Sequence, residues 1–349
     1  MFRKALPIIL AVTLLLSACT SAPQQSNASP STEESNNPKG QLIVYSGRSE
    51  PLIQPVITAF NEKYPEVEVL LKSGNNSQLA NTILEEKSNP QADVFVTVDA
   101  FTMFALNREG VFMPYKPVGY ENLPDSFKDP DGAWVGLTER LRIIMYNKDL
   151  VSPEELPTSV FDLTDPKWKG QIASAGSTNA SMQAQIAAMI ELVGREKTKE
   201  WLQGLIDNDV TFFGGHTDVR KSVGAGEFKL GLANHYYYYL QLAEGSNLGI
   251  IYPDQGEGEM GVVSNATAAG ILKGTKNPAA AKAFLDFLVS PEGQKIFADG
   301  NYEYPLLKGV ALHAGIDPLN SVRMAKVTLA QVVNRFDDTF DLMEEVNLP

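Results

Sequence analysis

The sequence predicts an α/β protein with two domains, and three observations carry that expectation. The folded body opens with strand-like and helix-like segments in alternation. A second alternating set follows after Trp134. The 349 residues, 44% hydrophobic and 20% charged, are enough for two cores of about 100–200 residues each.

The body begins near Gln41. QLIVYSG is a short apolar run closed by a turn signal, which marks a buried strand. Leu52, Ile53, Val56, Ile57 and Phe60 recur at helical spacing, and Pro65 stops that helix. VEVLLKSG is a second strand, and Leu79, Ile83 and Leu84 mark a second helix. ADVFVTV is a third strand, followed by a helix through Phe104 to Asn107 that ends near Gly110. This β-α-β-α-β-α order predicts a parallel sheet with right-handed crossovers. Ligands of such sheets bind beyond the carboxyl ends of the strands. Those ends are Ser46 to Ser49, Ser73 to Asn76, and Asp99-Ala100.

In the second set LRIIMYN reads as a strand. GQIASAGSTNASMQ reads as a strand and a polar turn leading into a helix through Ile186, Met189, Ile190 and Val193. KEWLQGLI is helical and VTFFGG extended. LGLANHYYYYLQLA reads as a strand passing through four tyrosines, and GVVSNATAAGILKG as another apolar stretch. PAAAKAFLDFLVSPEGQKIFA gives two helices split at Ser290-Pro291. One last helix carries Val327, Leu329, Val332, Val333 and Phe336.

The N-terminus reads as a targeting segment. Arg3 and Lys4 precede an apolar run from Ala5 to Leu16, too short for the roughly 20 residues of a spanning helix. Ser17-Ala18-Cys19 follows, and LLLSAC resembles a bacterial lipobox. That resemblance implies cleavage before Cys19 and lipidation of its sulfur. A plain signal peptide with a chance cysteine is the alternative. Thr20 to Lys39 is rich in Ser, Asn, Pro and Gln and lacks bulky apolar residues, so it reads as a tether.

Composition excludes several functions. A net charge of −13 argues against a nucleic-acid partner, which needs clustered Lys and Arg. Cys19 is the lone cysteine, so neither an internal disulfide nor a CxxC metal pair can form. Three histidines do not suit a His-rich zinc or copper site. No GxSxG elbow, HExxH, Walker loop or GxGxxG is present, and no nucleophile–base pair is visible, so no enzyme activity is expected.

Three local patterns bear on ligands. Tyr236 to Tyr239 fit an aromatic strand, or phenolate donors for a hard trivalent cation if the backbone turns there. Ser177, Thr178 and Asn179 precede a helix, where they can cap it or bind an anion. Arg140 can make a bidentate contact with an oxyanion in a cleft or form a structural ion pair.

VYSGRSEPLIQPVITAF, PQADVFVTVDA, LRIIMYNKDLV, GSTNAS, ANHYYYY and FLVSPEGQKIFADGNYEYPL together resemble the solute-binding proteins of bacterial ABC-type ferric iron importers. The resemblance covers Leu42 to Asn347. It implies a two-lobed type II periplasmic-binding-protein fold, with two parallel-rich sheets flanked by helices and joined by hinge strands near Glu139 and Thr267. Residues 1–18 are then the signal peptide and 19–40 the tether. Lobe 1 is 41–138 with 267–318, and lobe 2 is 139–266 with 319–349.

The resemblance further implies Fe(III) ligation by Tyr236 and Tyr237, with Tyr238 and Tyr239 in packing roles. A synergistic anion such as carbonate is expected at Arg140 and near Ser177, Thr178 and Asn179. The first lobe departs from the family, with Ser49 where many members carry histidine and Val98 near a usual carboxylate. Tyr45, Asp99 and Arg48 are its remaining polar candidates, Tyr45 as third donor and Arg48 as anion holder. The implied partner is an inner-membrane ABC permease. The body is expected to be a monomer on the periplasmic or extracellular face, tied to the membrane only through Cys19. A same-fold binder of a polyamine, phosphonate or sugar phosphate is the alternative. A surface lipoprotein without a ligand is a third reading.

Overall fold

A computed structural model describes residues 38–349; the signal segment, Cys19 and most of the tether lie outside them. The first lobe builds as its alternation predicts. Strand β1 (Gly40–Ser46) leads into helix α1 (Glu50–Lys63), β2 (Val67–Ser73), α2 (Asn76–Glu85), β3 (Val94–Thr97), α3 (Ala100–Arg108) and the short β4 (Phe112–Met113). Strand β1 lies between β2 and β3, parallel to both. Ile53, Val56, Ile57 and Phe60 form the buried stripe of α1, packed over Leu42 and Val44 of β1.

The chain then enters β5 (Val135–Asn147), which at thirteen residues far exceeds the predicted LRIIMYN. Beyond it come β6 (Ile172–Ala175), α4 (Ala180–Val193), α5 (Arg195–Asp207), β7 (Thr211–Phe213), α6 (His216–Gly224), β8 (Leu230–Asn234), α7 (His235–Ala243) and β9 (Leu248–Ile251). The return begins with β10 (Ser264–Leu272), followed by α8 (Pro278–Val289), α9 (Pro291–Asn301) and β11 (Tyr304–Pro305). The single final helix expected is two, α10 (Leu329–Val333) and α11 (Phe336–Glu345), separated at Asn334-Arg335.

Two strands join the sheets. The first half of β5 pairs antiparallel with β10, down to Leu141↔Ser264. From Arg142 onward β5 pairs with β8, and β10 returns to pair antiparallel with β3. A register shift between Thr267 and Ala268 bends the β5–β10 ribbon, as a bulge does by adding one unpaired residue.

Separate apolar clusters fill the two sides: Leu42, Val94 and Phe284 on one, Trp168, Trp201 and Leu232 on the other. Tyr304 and Ile316 pack in a cluster with Leu141, Ile143 and Tyr239 of the second sheet. The end of the 267–318 stretch expected in lobe 1 therefore leans on lobe 2.

The tyrosine run departs most from expectation. Strand β8 ends at Asn234, and all four tyrosines lie on α7. The helix wins over tyrosine's β preference because His235, Tyr238 and Tyr239 recur at i, i+3, i+4 and are all buried.

Candidate metal and anion site

Adjacent residues of a helix diverge by about 100°, yet the Tyr236 and Tyr237 rings lie side by side, centroids 4.2 Å apart. Tyr236 is buried and Tyr237 half-buried. Among the described residues neither hydroxyl has a hydrogen-bond partner. Both sit in the first turn of α7, where the positive end of the helix dipole favours anionic groups. Burial holds the Tyr236 phenol well above its usual range, opposed by the charges of Arg140 and Arg48. It is a neutral phenol that becomes an oxygen anion only when a cation replaces its proton.

Tyr238 and Tyr239 face inward. Tyr238 packs edge-on against Tyr239 at 4.9 Å. The Tyr239 hydroxyl accepts from the Asp317 N–H at 3.3 Å.

His235 fixes the start of this helix. Its Nδ1 accepts from the Leu141 N–H at 3.1 Å, so Nε2 carries the proton and donates to the Tyr302 carbonyl at 2.9 Å. Burial lowers its pKa to about 3, which keeps the ring neutral and the clamp intact. Its face stacks on Tyr304 at 4.6 Å.

Arg140 is 1% exposed. Its Nε and Nη2 are buried without a hydrogen-bond partner among the described residues. Leaving such a group unpaired is costly, so this guanidinium is suited to an incoming anion. Arg142 lies two residues on, on the same strand face. It donates to Gln185 at 2.7 Å, to His216 Nε2 at 2.9 Å and to Asn234 at 3.2 Å. Among the described residues no carboxylate pairs with it, and burial together with Arg140 lowers its pKa to about 9. His216 is neutral for the same reasons, burial first and the two arginines next. Asn234 spends its amide on Ser181 at 3.2 Å rather than on capping α7.

The other expected residues lie elsewhere or are committed. Strand alternation turns Tyr45 into the cluster under α2 and α3. Its hydroxyl meets both Glu86 oxygens at 3.2 Å, and Lys72 lies 4.4 Å above its ring. That placement opposes the expected role as third donor. Arg48 is enclosed by Glu303, at 2.5 and 3.3 Å, and by Thr267 at 2.7 Å. Among the described residues only its Nε lacks a partner, so the expected anion holder is already paired with Glu303.

Asp99 caps α3 through Thr102 N and accepts from Asn76 and Thr102 side chains. In the polar turn the Ser177 N–H goes to the Pro349 carbonyl at 2.6 Å. Asn179 caps α4 through Ser181 N and Met182 N. Asn179 Oδ1 is thus committed to the cap, whereas among the described residues the Ser177 and Thr178 hydroxyls make no hydrogen bond. Ser177 and Thr178 instead edge a groove of about 970 Å³ between α2, α3 and α11, which none of the tyrosines or arginines of the site lines.

Sequence reasoning missed Glu303, Gln185, His216 and Asn265. Only NYEYP, around Glu303, carried a signal, through the family resemblance. Among the described residues no group of three or more histidine, cysteine, aspartate and glutamate side chains is placed to hold a metal ion. A metal reading therefore rests on the phenols.

Two α/β lobes sharing long strands, with a buried polar site where they join, define the architecture of a two-lobed solute-binding protein. A family model described as bacterial extracellular solute-binding protein matches residues 89–320. Iron uptake protein A1 of Synechocystis sp. is 34% identical over 312 residues, covering 86% of this chain and 84% of that protein. Iron-bound HitA from Pseudomonas aeruginosa superposes with a TM-score of 0.81 at 28% identity, covering 88% of this chain and 99% of that one. The Trichodesmium protein IdiA (FutA), in complex with iron and citrate, gives 0.71 at 32% identity with 88% and 99% covered. The chain belongs to the bacterial extracellular solute-binding proteins, among the periplasmic ferric-ion-binding proteins.

Proposed function

We propose that this protein binds Fe(III) between its lobes through the phenolates of Tyr236 and Tyr237, with an anion on Arg140, and delivers the ion to an ABC permease. One observation carries the reading: two unpartnered phenols stand side by side at a helix N-terminus, and unpartnered Arg140 acts electrostatically on Tyr236. Hard trivalent cations prefer charged oxygen donors. Iron loading thus replaces the phenolic proton and supplies the counter-charge for the phenolate that burial otherwise disfavours. The relatives named for iron support the cargo.

The role is binding and transport rather than catalysis, in keeping with the family. We assign the lobes as 41–138 with 267–318 and 139–266 with 319–349. Closure is a hinge motion of the strands between them, driven by a ligand that touches both sides. Cys19 is the proposed lipid anchor, holding a monomeric body outside the cytoplasmic membrane.

The test is a visible absorption spectrum of the purified chain with ferric citrate and bicarbonate, with and without Tyr236→Phe and Tyr237→Phe together. A broad phenolate-to-iron charge-transfer band, lost in the double variant, is expected. A colourless protein whose melting temperature ignores iron sinks the ferric reading.

A further inference from the structure

The chain has three histidines, and two of them flank the tyrosine pair. His235 meets the Tyr236 ring edge-on with centroids 6.0 Å apart, and His216 meets the Tyr237 ring edge-on at 5.2 Å. Both are buried. Imidazole is a common ligand of zinc, copper and nickel, but a ring nitrogen ligates only through a free lone pair. What each ring can do therefore depends on how its two nitrogens are used.

His235 has no lone pair to offer. Its Nδ1 takes the Leu141 N–H, and its Nε2 gives its proton to the Tyr302 carbonyl. His216 is held differently. Its Nε2 lies 2.9 Å from Arg142 Nη1. A guanidinium only donates, so Nε2 is the acceptor and the single ring proton sits on Nδ1. Among the described residues that Nδ1 makes no hydrogen bond, and it is not sealed from solvent. In the opposite tautomer the same atom would be an open lone pair on the ring that meets Tyr237. Arg142 is fixed against the ring from two other sides. Its Nε donates to Gln185 of α4 at 2.7 Å, and Nη1 also donates to Asn234 at the end of β8 at 3.2 Å.

Divalent affinities at a nitrogen and oxygen site rise toward copper, so discrimination has to come from ligand type and geometry. We propose that Arg142 is a specificity-determining residue: it locks His216 in the tautomer that cannot ligate, so the site offers oxygen donors and refuses zinc, copper and cobalt while taking a hard trivalent ion. The inference rests on the tyrosine site and deepens it by naming what that site excludes. Arg142 acts through His216 and is a positioning residue rather than a ligand.

A gained metal tests this, because lost packing does not create a ligand. Cobalt(II), followed by its visible bands, and zinc(II), followed by calorimetry, are titrated into the iron-free full chain. In Arg142→Gln the amide carbonyl can accept from Nε2–H, which frees Nδ1. Affinity for both ions is expected to rise about 10- to 100-fold in Arg142→Gln. It should stay at the unaltered level in Arg142→Lys, which keeps a cationic donor, and fall back when His216→Phe is added to Arg142→Gln. Melting curves establish that each variant is folded, and Arg142→Met, which removes the donor without replacing it, is read in the same way if Arg142→Gln is not. No gain in the folded variant overturns the lock, as does a gain that survives His216→Phe and so reports charge alone. Iron is read separately on the unaltered chain by its charge-transfer band. A band with no gain of cobalt refutes the lock alone, whereas a His216-dependent gain without a band refutes the iron reading and leaves the lock standing.

Discussion

Replacing Arg48 by Met tests the hinge as a piece of electrostatics. Glu303 is fully buried and receives three hydrogen bonds, two from Arg48 and one from Thr138. Met keeps most of the packing against Phe297, over which the guanidinium lies at 5.2 Å, but strands the carboxylate with Thr138 alone. Removing one partner of a buried ion pair costs about 3–5 kcal/mol. Proton uptake sets a ceiling on that cost. Protonating an ordinary carboxyl group costs about 4 kcal/mol near pH 7.5 and about 1 kcal/mol near pH 5. The variant should therefore lose about 3–4 kcal/mol at the higher pH and about 1 kcal/mol at the lower. Adding Glu303→Gln should restore most of the loss at the higher pH, because no buried charge remains. The assay is urea unfolding of the iron-free chain at both pH values. Equal losses at the two pH values, or a double variant as weak as Arg48→Met, would refute the reasoning.

Two other outcomes follow from the same geometry. Asn179→Ala removes the acceptor for Ser181 N and Met182 N at the start of α4. It should cost about 1 kcal/mol of stability in urea unfolding while leaving the iron band intact, since the Asn179 Oδ1 is committed to the cap. Iron loading should also release protons, because Tyr236 is held as a neutral phenol and a ligand must give up its proton. With Tyr236 giving up its proton on binding, the apparent affinity should fall about tenfold or more for each pH unit of acidification. A pH-independent affinity would mean that the phenols are not the ligands.

The first lobe was legible because each of its elements is local. An apolar run of strand length, then a helical stripe, then a turn signal define β1, α1 and β2 without reference to the rest of the chain. β5 was half hidden. Its first residues include Gly136, Thr138, Glu139 and Arg140, which break the apolar pattern because this half of the strand carries the hinge's polar contacts. The tyrosine helix was hidden for the opposite reason. Four tyrosines in a row favour a strand locally, and only the burial of His235, Tyr238 and Tyr239 and the two bonds of the His235 ring select the helix. α6 went unread because its segment HTDVRKSVG is largely polar, with Val219 and Val223 as its buried apolar residues.

The site followed the same division. Tyr236, Tyr237 and Arg140, proposed for metal and anion, carry chemistry in their own side chains, so residue type and family resemblance pointed to them. Arg48 has that chemistry too, but its long-range partner Glu303 is 255 positions away, and no local pattern reports such a pairing. Tyr45 illustrates the parity of a strand: Leu42 and Val44 pack in one cluster and Tyr45 in another, so being near the strand's end did not bring it to the tyrosine site. The buried charges then separate into two kinds. Arg48 and Glu303 neutralise each other and pin β1 and the β5–β10 ribbon together. Among the described residues Arg140 and Arg142 have no such partner, and they stand on the strand where one sheet hands over to the other. A counter-charge arriving there acts on both lobes at once, which is the arrangement in which binding and closure become a single event.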